Sequence, residues 1–179
     1  MAICSSVAQR SRIHAALLLV ALAGFVETAV AQDAATPRLK SSSVAVAAAL
    51  SAGARDSATF RQLIGKIEET DGIVYIEEGT CLHGVRACLL HVVAISGDHR
   101  LLQIRIEPRK ARGCWLVGAI GHELHHAIEV LSHANVRDGR AMLSLFGRLG
   151  PTAAADTFET KAAIRTGWSV EREACRDED

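Results

Sequence analysis

The sequence predicts a single α+β domain in which a small antiparallel sheet packs on helices. The hydrophobic period changes from helical to alternating near Gly72, and back to helical after Pro108. Each change falls at turn-forming residues. Helices, then short strands, then helices, with no internal repeat or second-domain linker, is the order of one α+β unit. A chain of 179 residues suffices for one such domain with a modest core.

The first 31 residues read as a signal peptide. Arg10 and Arg12 precede the apolar run AALLLVALAGFV, and Ala29-Val30-Ala31 offers a cleavage site. The run falls short of the ~20 apolar residues that span a bilayer. The mature chain is therefore expected to be exported, periplasmic or secreted, with no stable membrane anchor. Residues 32–55 are expected to form a flexible leader, within which VAVAAALSAGA is a candidate short helix, and residues 56–179 the domain.

Within that domain, RDSATFRQLIGKIEETDG has Asp56 or Ser57 as a cap and Phe60, Leu63, Ile64 and Ile67 at helical spacing. IVYIEEG, ACLLHVVAIS and RLLQIRIEP read as strands, with SGDHR as a hairpin turn. In the last of these, Leu102, Ile104 and Ile106 alternate with Gln103, Arg105 and Glu107, and Pro108 ends the run. Everything after Ala111 reads as helical: a long apolar helix, a shorter one closed by Gly150-Pro151, and a last one capped by Asp156.

Zero formal net charge and the absence of a Lys/Arg cluster exclude a nucleic-acid partner. Loss of the signal removes Cys4 and leaves Cys81, Cys88, Cys114 and Cys175, an even set that suits disulfides in an exported chain. Cys81 and Cys88 bracket the short loop CLHGVRAC and are the preferred pair, which leaves Cys114 with Cys175.

The chemistry concentrates in GHELHHAIEV, residues 121–130, which contains H-E-x-x-H as His122, Glu123 and His126. Residues four apart lie one turn above each other, so His122 and His126 aim at a common point while His125 does not. Two imidazoles on one turn form a zinc clamp, and Glu123 stands where it can take a proton from an attacking water. Random placement of the same residues gives such a string in about 2 % of chains this long. Context therefore matters more than the string. Here Leu116, Val117, Ile120, Leu124 and Ile128 surround it, and polar groups sunk among apolar neighbours must be satisfied.

The order strand, then helix carrying HExxH, resembles the zincin metallopeptidases, and the string also resembles small exported bacterial proteins with the same motif. The resemblance covers roughly 101–175. Glu129 and Ser132 stand where the metzincin branch needs Gly and His, so that branch is excluded. The gluzincin branch takes a glutamate from a later helix as third ligand. It implies a zinc-dependent peptidase with a peptide or protein substrate, HExxH on a central helix, and a free-edged strand from Leu101 to Glu107 that pairs with the substrate. Glu159, expected one turn into the last helix beside Ala162 and Ala163, is the preferred third ligand. Glu129 lies on the same face as His122 but strains a single tetrahedral point, since seven residues span ~10 Å of axis. It reads better as a partner of His126 or His133. Glu171, Glu173 and Asp138 remain as alternatives.

Other polar residues have simpler readings: His83, His91 and His99 as loop or core histidines, Tyr75 as a strand residue, and Trp115 and Trp168 as core. Arg137 and Arg165 read as surface ion-pair partners, or as stabilisers of a transition-state oxyanion. The competing functional reading is a catalytically silent zincin-like protein that binds metal or a partner.

Overall fold

The structure, a computed structural model, describes residues 37–176 apart from 108, 110, 151, 155 and 156, and without the side chains of 83, 152–154 and 157. The expected signal peptide and the expected cap Asp156 lie outside the described residues.

Secondary structure starts well inside the expected leader. A short strand β1 (Leu39–Lys40) leads to helix α1 (Val44–Asp56), which buries Val46, Ala49 and Gly53. Ser43 caps α1 and donates its hydroxyl to Glu78, while Ser42 bonds Glu77, so the end of strand β2 (Gly72–Glu78) anchors this helix. Ser57 then ends α1 and caps α2 (Ala58–Glu68), accepting from Phe60 N at 3.0 Å. Phe60, Leu63 and Ile67 are buried at the helical spacing that marks an amphipathic helix.

After β2 the chain passes to β3 (Ala87–Leu89) and β4 (Ala94–Ser96), turns at Gly97-Asp98 and returns as β5 (His99–Ile106). Gly97 has φ +56°, the backbone that a two-residue hairpin turn requires. The sheet order is β1-β2-β5-β3, with β4 also on β5. β1, β2 and β5 run parallel, whereas β3 and β4 run antiparallel to β5, so the sheet is mixed rather than antiparallel. β5 therefore lies between two neighbours and has no free edge for a substrate strand. The reason is the route: the chain crosses from β2 to the far side before turning back, and fills the middle last. Val74 and Ile76 on β2 lie beside Leu102 and Ile104 on β5, and all four are buried. Tyr75, Gln103 and Arg105 on the other face stay half-buried.

Helix α3 (Gly113–Leu131) carries the motif and α4 (Gly139–Leu149) follows, capped by Asp138. β6 (Thr152–Ala154) and β7 (Thr157–Phe158) form a small antiparallel pair, then α5 (Lys161–Ala174) closes the fold. The last helix thus starts later than its sequence suggests. Residues 157–158 are taken up in pairing, and Thr160 supplies the cap by accepting from Ala163 N at 3.1 Å.

α3 and α5 pack antiparallel and very close. A Cβ at Gly118 would sit 2.7 Å from Glu171 Cβ, one at Gly121 2.8 Å from Val170, and one at Gly167 3.0 Å from His122 Cβ. Three glycines at the contact let the two backbones approach. Cys114 bonds Cys175 at one end of this pair, and Cys81 bonds Cys88 across the loop before β3. Two disulfides mark a non-reducing compartment. Among the described residues no helix is long and apolar enough to cross a membrane.

The Cys114–Cys175 bridge closes a loop with sequence separation 61. Its replacement by two serines is expected to lower stability by about 2–4 kcal/mol, mainly by releasing the unfolded chain. Chemical denaturation of both forms measures the difference.

Candidate metal centre

α3 sets the first part of the site. Its apolar residues Leu116, Val117, Ile120, Leu124 and Ala127 are buried against the core, so His122, Glu123 and His126 are carried inward with them. His122 and His126 stand one turn apart with ring centroids separated by 4.9 Å. Glu159 arrives from the segment just before the α5 cap, not from the helix itself. Its placement depends on Gly150, where a Cβ would stand 2.3 Å from the Glu159 carbonyl oxygen.

The result is a group of three: one ligand atom each from His122, His126 and Glu159, all within 4.8 Å of one another. His122 Nε2 lies 3.2 Å from Glu159 Oε2, close enough for an ion pair but not aligned for a hydrogen bond. His126 Nε2 and Glu159 Oε2 are buried and make no hydrogen bond. His126 Nε2, buried with no partner and facing the same point as a carboxylate oxygen that only His122 approaches, is costly unless something satisfies it. A metal ion does so, and two imidazoles with one carboxylate are a donor set that suits it. The chain's own residues therefore fit a metal.

The supporting contacts set the direction of His126. Its Nδ1 donates to Glu129 Oε2 at 2.7 Å, which leaves the Nε2 lone pair facing the group. Glu129 Oε1 accepts from the Thr160 hydroxyl at 2.7 Å, so the α5 cap holds the carboxylate in place. His125 points elsewhere, with Nδ1 3.0 Å from the Thr166 hydroxyl. Glu129→Gln is expected to weaken metal binding about 10–100-fold while leaving the three ligand atoms in place. Competition against a chelator of known affinity reads this directly.

Glu123 is buried beside the group. Its Oε2 accepts from Leu89 N at 2.7 Å. Burial raises its pKa above the ordinary carboxylate value, only partly offset by His122, His126 and the Leu89 N–H. Burial works against protonated His122, yet the Glu159 carboxylate and the charges of Glu123 and Glu129 outweigh it and raise the His122 pKa. Burial likewise opposes ionised Glu159, but His122 and then His126 hold its pKa low. Both shifts share one cause, the 3.2 Å approach of His122 Nε2 to Glu159 Oε2.

The remaining sequence candidates lie elsewhere. Glu173 caps α2, accepting from Ser57, from Thr59 N and from the Thr59 hydroxyl, and Asp138 caps α4. His91 packs 5.5 Å from the Phe158 ring, and His99 Nδ1 lies 3.0 Å from Arg38 Nη1. Tyr75 sits on β2 with Lys40 Nζ 6.0 Å from its ring centroid. Arg137 and Arg165 are exposed. Trp115 and Trp168 are not core: they are 53% and 67% exposed. Both line an open cleft of about 400 Å³ over His122, Glu123 and Glu159, with Val85, Arg86, Ile164 and Glu171. A larger cavity of about 610 Å³, between α1 and the start of α3, contains no histidine.

Sequence reasoning missed Thr160 and the Leu89 N–H. Thr160 carried a readable signal, since a threonine before a helical run is a cap. The Leu89 contact had none, because it is a backbone group from a distant strand. No protein-family model, curated protein or solved structure matches the chain.

Proposed function

We propose that the protein is an exported, gluzincin-like zinc metallopeptidase, periplasmic or secreted after loss of a signal peptide. One observation carries this reading: the His122, His126 and Glu159 ligand atoms converge, with His126 Nε2 buried and without a partner, beside a buried Glu123. A bound zinc would supply Lewis acidity, activating a water and polarising the scissile carbonyl. Glu123, held by the Leu89 N–H, takes the proton of the attacking water and delivers it to the leaving amine.

The substrate strand runs along β3 in this reading. Arg86 O and Leu90 N bond to β5, so the backbone groups of Ala87 and Leu89 face the opposite way, and Leu89 N reaches Glu123. Among the described residues no strand pairs with that edge of β3, and with Leu89 N held by Glu123 it leaves the Ala87 backbone groups and the Leu89 carbonyl for an extended peptide.

Metal analysis of the purified protein is expected to find about one zinc per chain, lost in both His122→Ala and His126→Ala. A metal-free protein after refolding with zinc would overturn the proposal. Metal uptake without cleavage across a broad peptide library would favour a silent metal- or partner-binding protein.

A further inference from the structure

The cleft over the metal centre holds a carboxylate that the proposed chemistry does not use. Glu171 lies on α5 against Gly118, one turn of α3 before His122 and so about 5–6 Å along the axis from it. It is half-buried, and among the described residues no side chain pairs with its carboxylate. Trp168 stands one turn before it on α5, and Trp115 one turn before Gly118 on α3, so an indole flanks it from each helix. Both indoles are more than half exposed. The Arg86 guanidinium already lies over Trp115, 5.4 Å from its centroid, which shows that this wall accepts a cation.

A carboxylate in a cleft walled by two indoles, one of them covered by Arg86 and the other, Trp168, largely exposed, is a receptor for a positive charge on a flexible stem. Its aromatic walls pack the methylenes, and its acid meets the charged head. An apolar side chain would cover the indoles but leave Glu171 desolvated and unpaired, which is unfavourable. We infer that Glu171, Trp115 and Trp168 form a specificity subsite for a lysine or arginine side chain of the peptide, beside the scissile bond. The inference rests on the peptidase reading above. The one-turn offset from His122 matches the reach of such a side chain from a residue next to the cleaved bond.

Both tryptophans of the chain line this cleft, so intrinsic fluorescence reports on it. The test uses zinc-loaded Glu123→Gln protein, which binds without turnover, and two end-blocked alanine pentapeptides with lysine or norleucine at the centre. The lysine peptide is expected to bind about tenfold more tightly, as cation–π and charge-assisted contacts allow. Adding Glu171→Gln should erase that preference, and adding Glu171→Lys should reverse it. Trp168→Ala, which leaves the carboxylate intact, should reduce it. Equal affinity, tighter binding of norleucine, or a lysine preference that survives Glu171→Gln would overturn the subsite. A lysine preference without any cleavage by the wild type would instead overturn the peptidase reading and leave the subsite standing. Cleavage without a basic preference would do the opposite.

Discussion

Glu123→Gln is expected to lower peptide hydrolysis by about 10²–10⁴ while zinc content stays near one per chain. Two contacts make the split clean. The Glu123 carboxylate is not one of the three convergent ligands, so its loss leaves the donor set whole. Glutamine also keeps an oxygen that accepts from Leu89 N, the bond that holds this side chain at 2.7 Å. The substitution removes the proton acceptor and little else. Steady-state cleavage of a good substrate, with metal content determined on the same sample, gives both quantities. Turnover near the wild-type rate would remove Glu123 from the chemistry; loss of zinc would move it into the donor set.

The largest effect of one substitution on stability is expected from Arg100→Met, about 2–4 kcal/mol, because it strips the donors from several carbonyls in the interior and the partner from Asp71, whose carboxylate is itself one-third exposed and adds little. Arg100 is 2% exposed and among the largest fully buried side chains. Its Nε lies 2.9 Å from both Asp71 oxygens, and its Nη atoms donate to the carbonyls of Val130, Leu131, His133 and Val136. Those carbonyls lie in and just beyond the last turn of α3, where a cation also suits the helix dipole. Methionine fills the space and satisfies none of them.

Acid should narrow the gap between the two proteins. The hydrogen bonds and charge of Arg100 outweigh burial and hold the Asp71 pKa below its ordinary value of 3.8. A depressed carboxylate pKa contributes stability that is present above the unfolded value and lost as pH falls through the folded one. Wild type therefore gives up this increment below about pH 4, whereas Arg100→Met has none to lose. Denaturant midpoints at neutral pH and near pH 3 test this. A gap of under 1 kcal/mol at neutral pH would mean that the Arg100 donors contribute little.

Arg100 also shows what the sequence could reveal. It occupies the same alternating phase as Leu102, Ile104 and Ile106, so its burial was readable from a period of two. Its partners were not, because four of them are carbonyls some thirty positions away. The same limit explains the sheet. Alternation tells which side of a strand is buried, but not which strand lies beside it or in which direction. The parallel pairing of β2 with β5 therefore left no local trace. Thr160 displaced Asp156 as the expected cap because both are good capping residues and only the β6–β7 pairing decides between them. Side-chain chemistry alone points Trp115 and Trp168 to the core. Their helices instead turn them to the cleft, where both are more than half exposed. At the site, the spacing of His122 and His126 is local geometry and was legible in full. Glu159 is legible as a distal acid, but it reaches His122 from an extended segment held by Gly150 rather than from the last helix.

The covalent bond between Cys114 and Cys175 lies at one end of the α3–α5 pair, and the His122, His126 and Glu159 group lies toward the other. The two ends of a packed, antiparallel pair cannot slide independently. Fixing the sulfur end therefore narrows the range of separations open to the donor atoms, and gathering the donor atoms steadies the sulfur end. Thermodynamic linkage makes that help mutual. A metal bound at the donor group would then favour the disulfide, and the disulfide would favour the metal, by the same free energy.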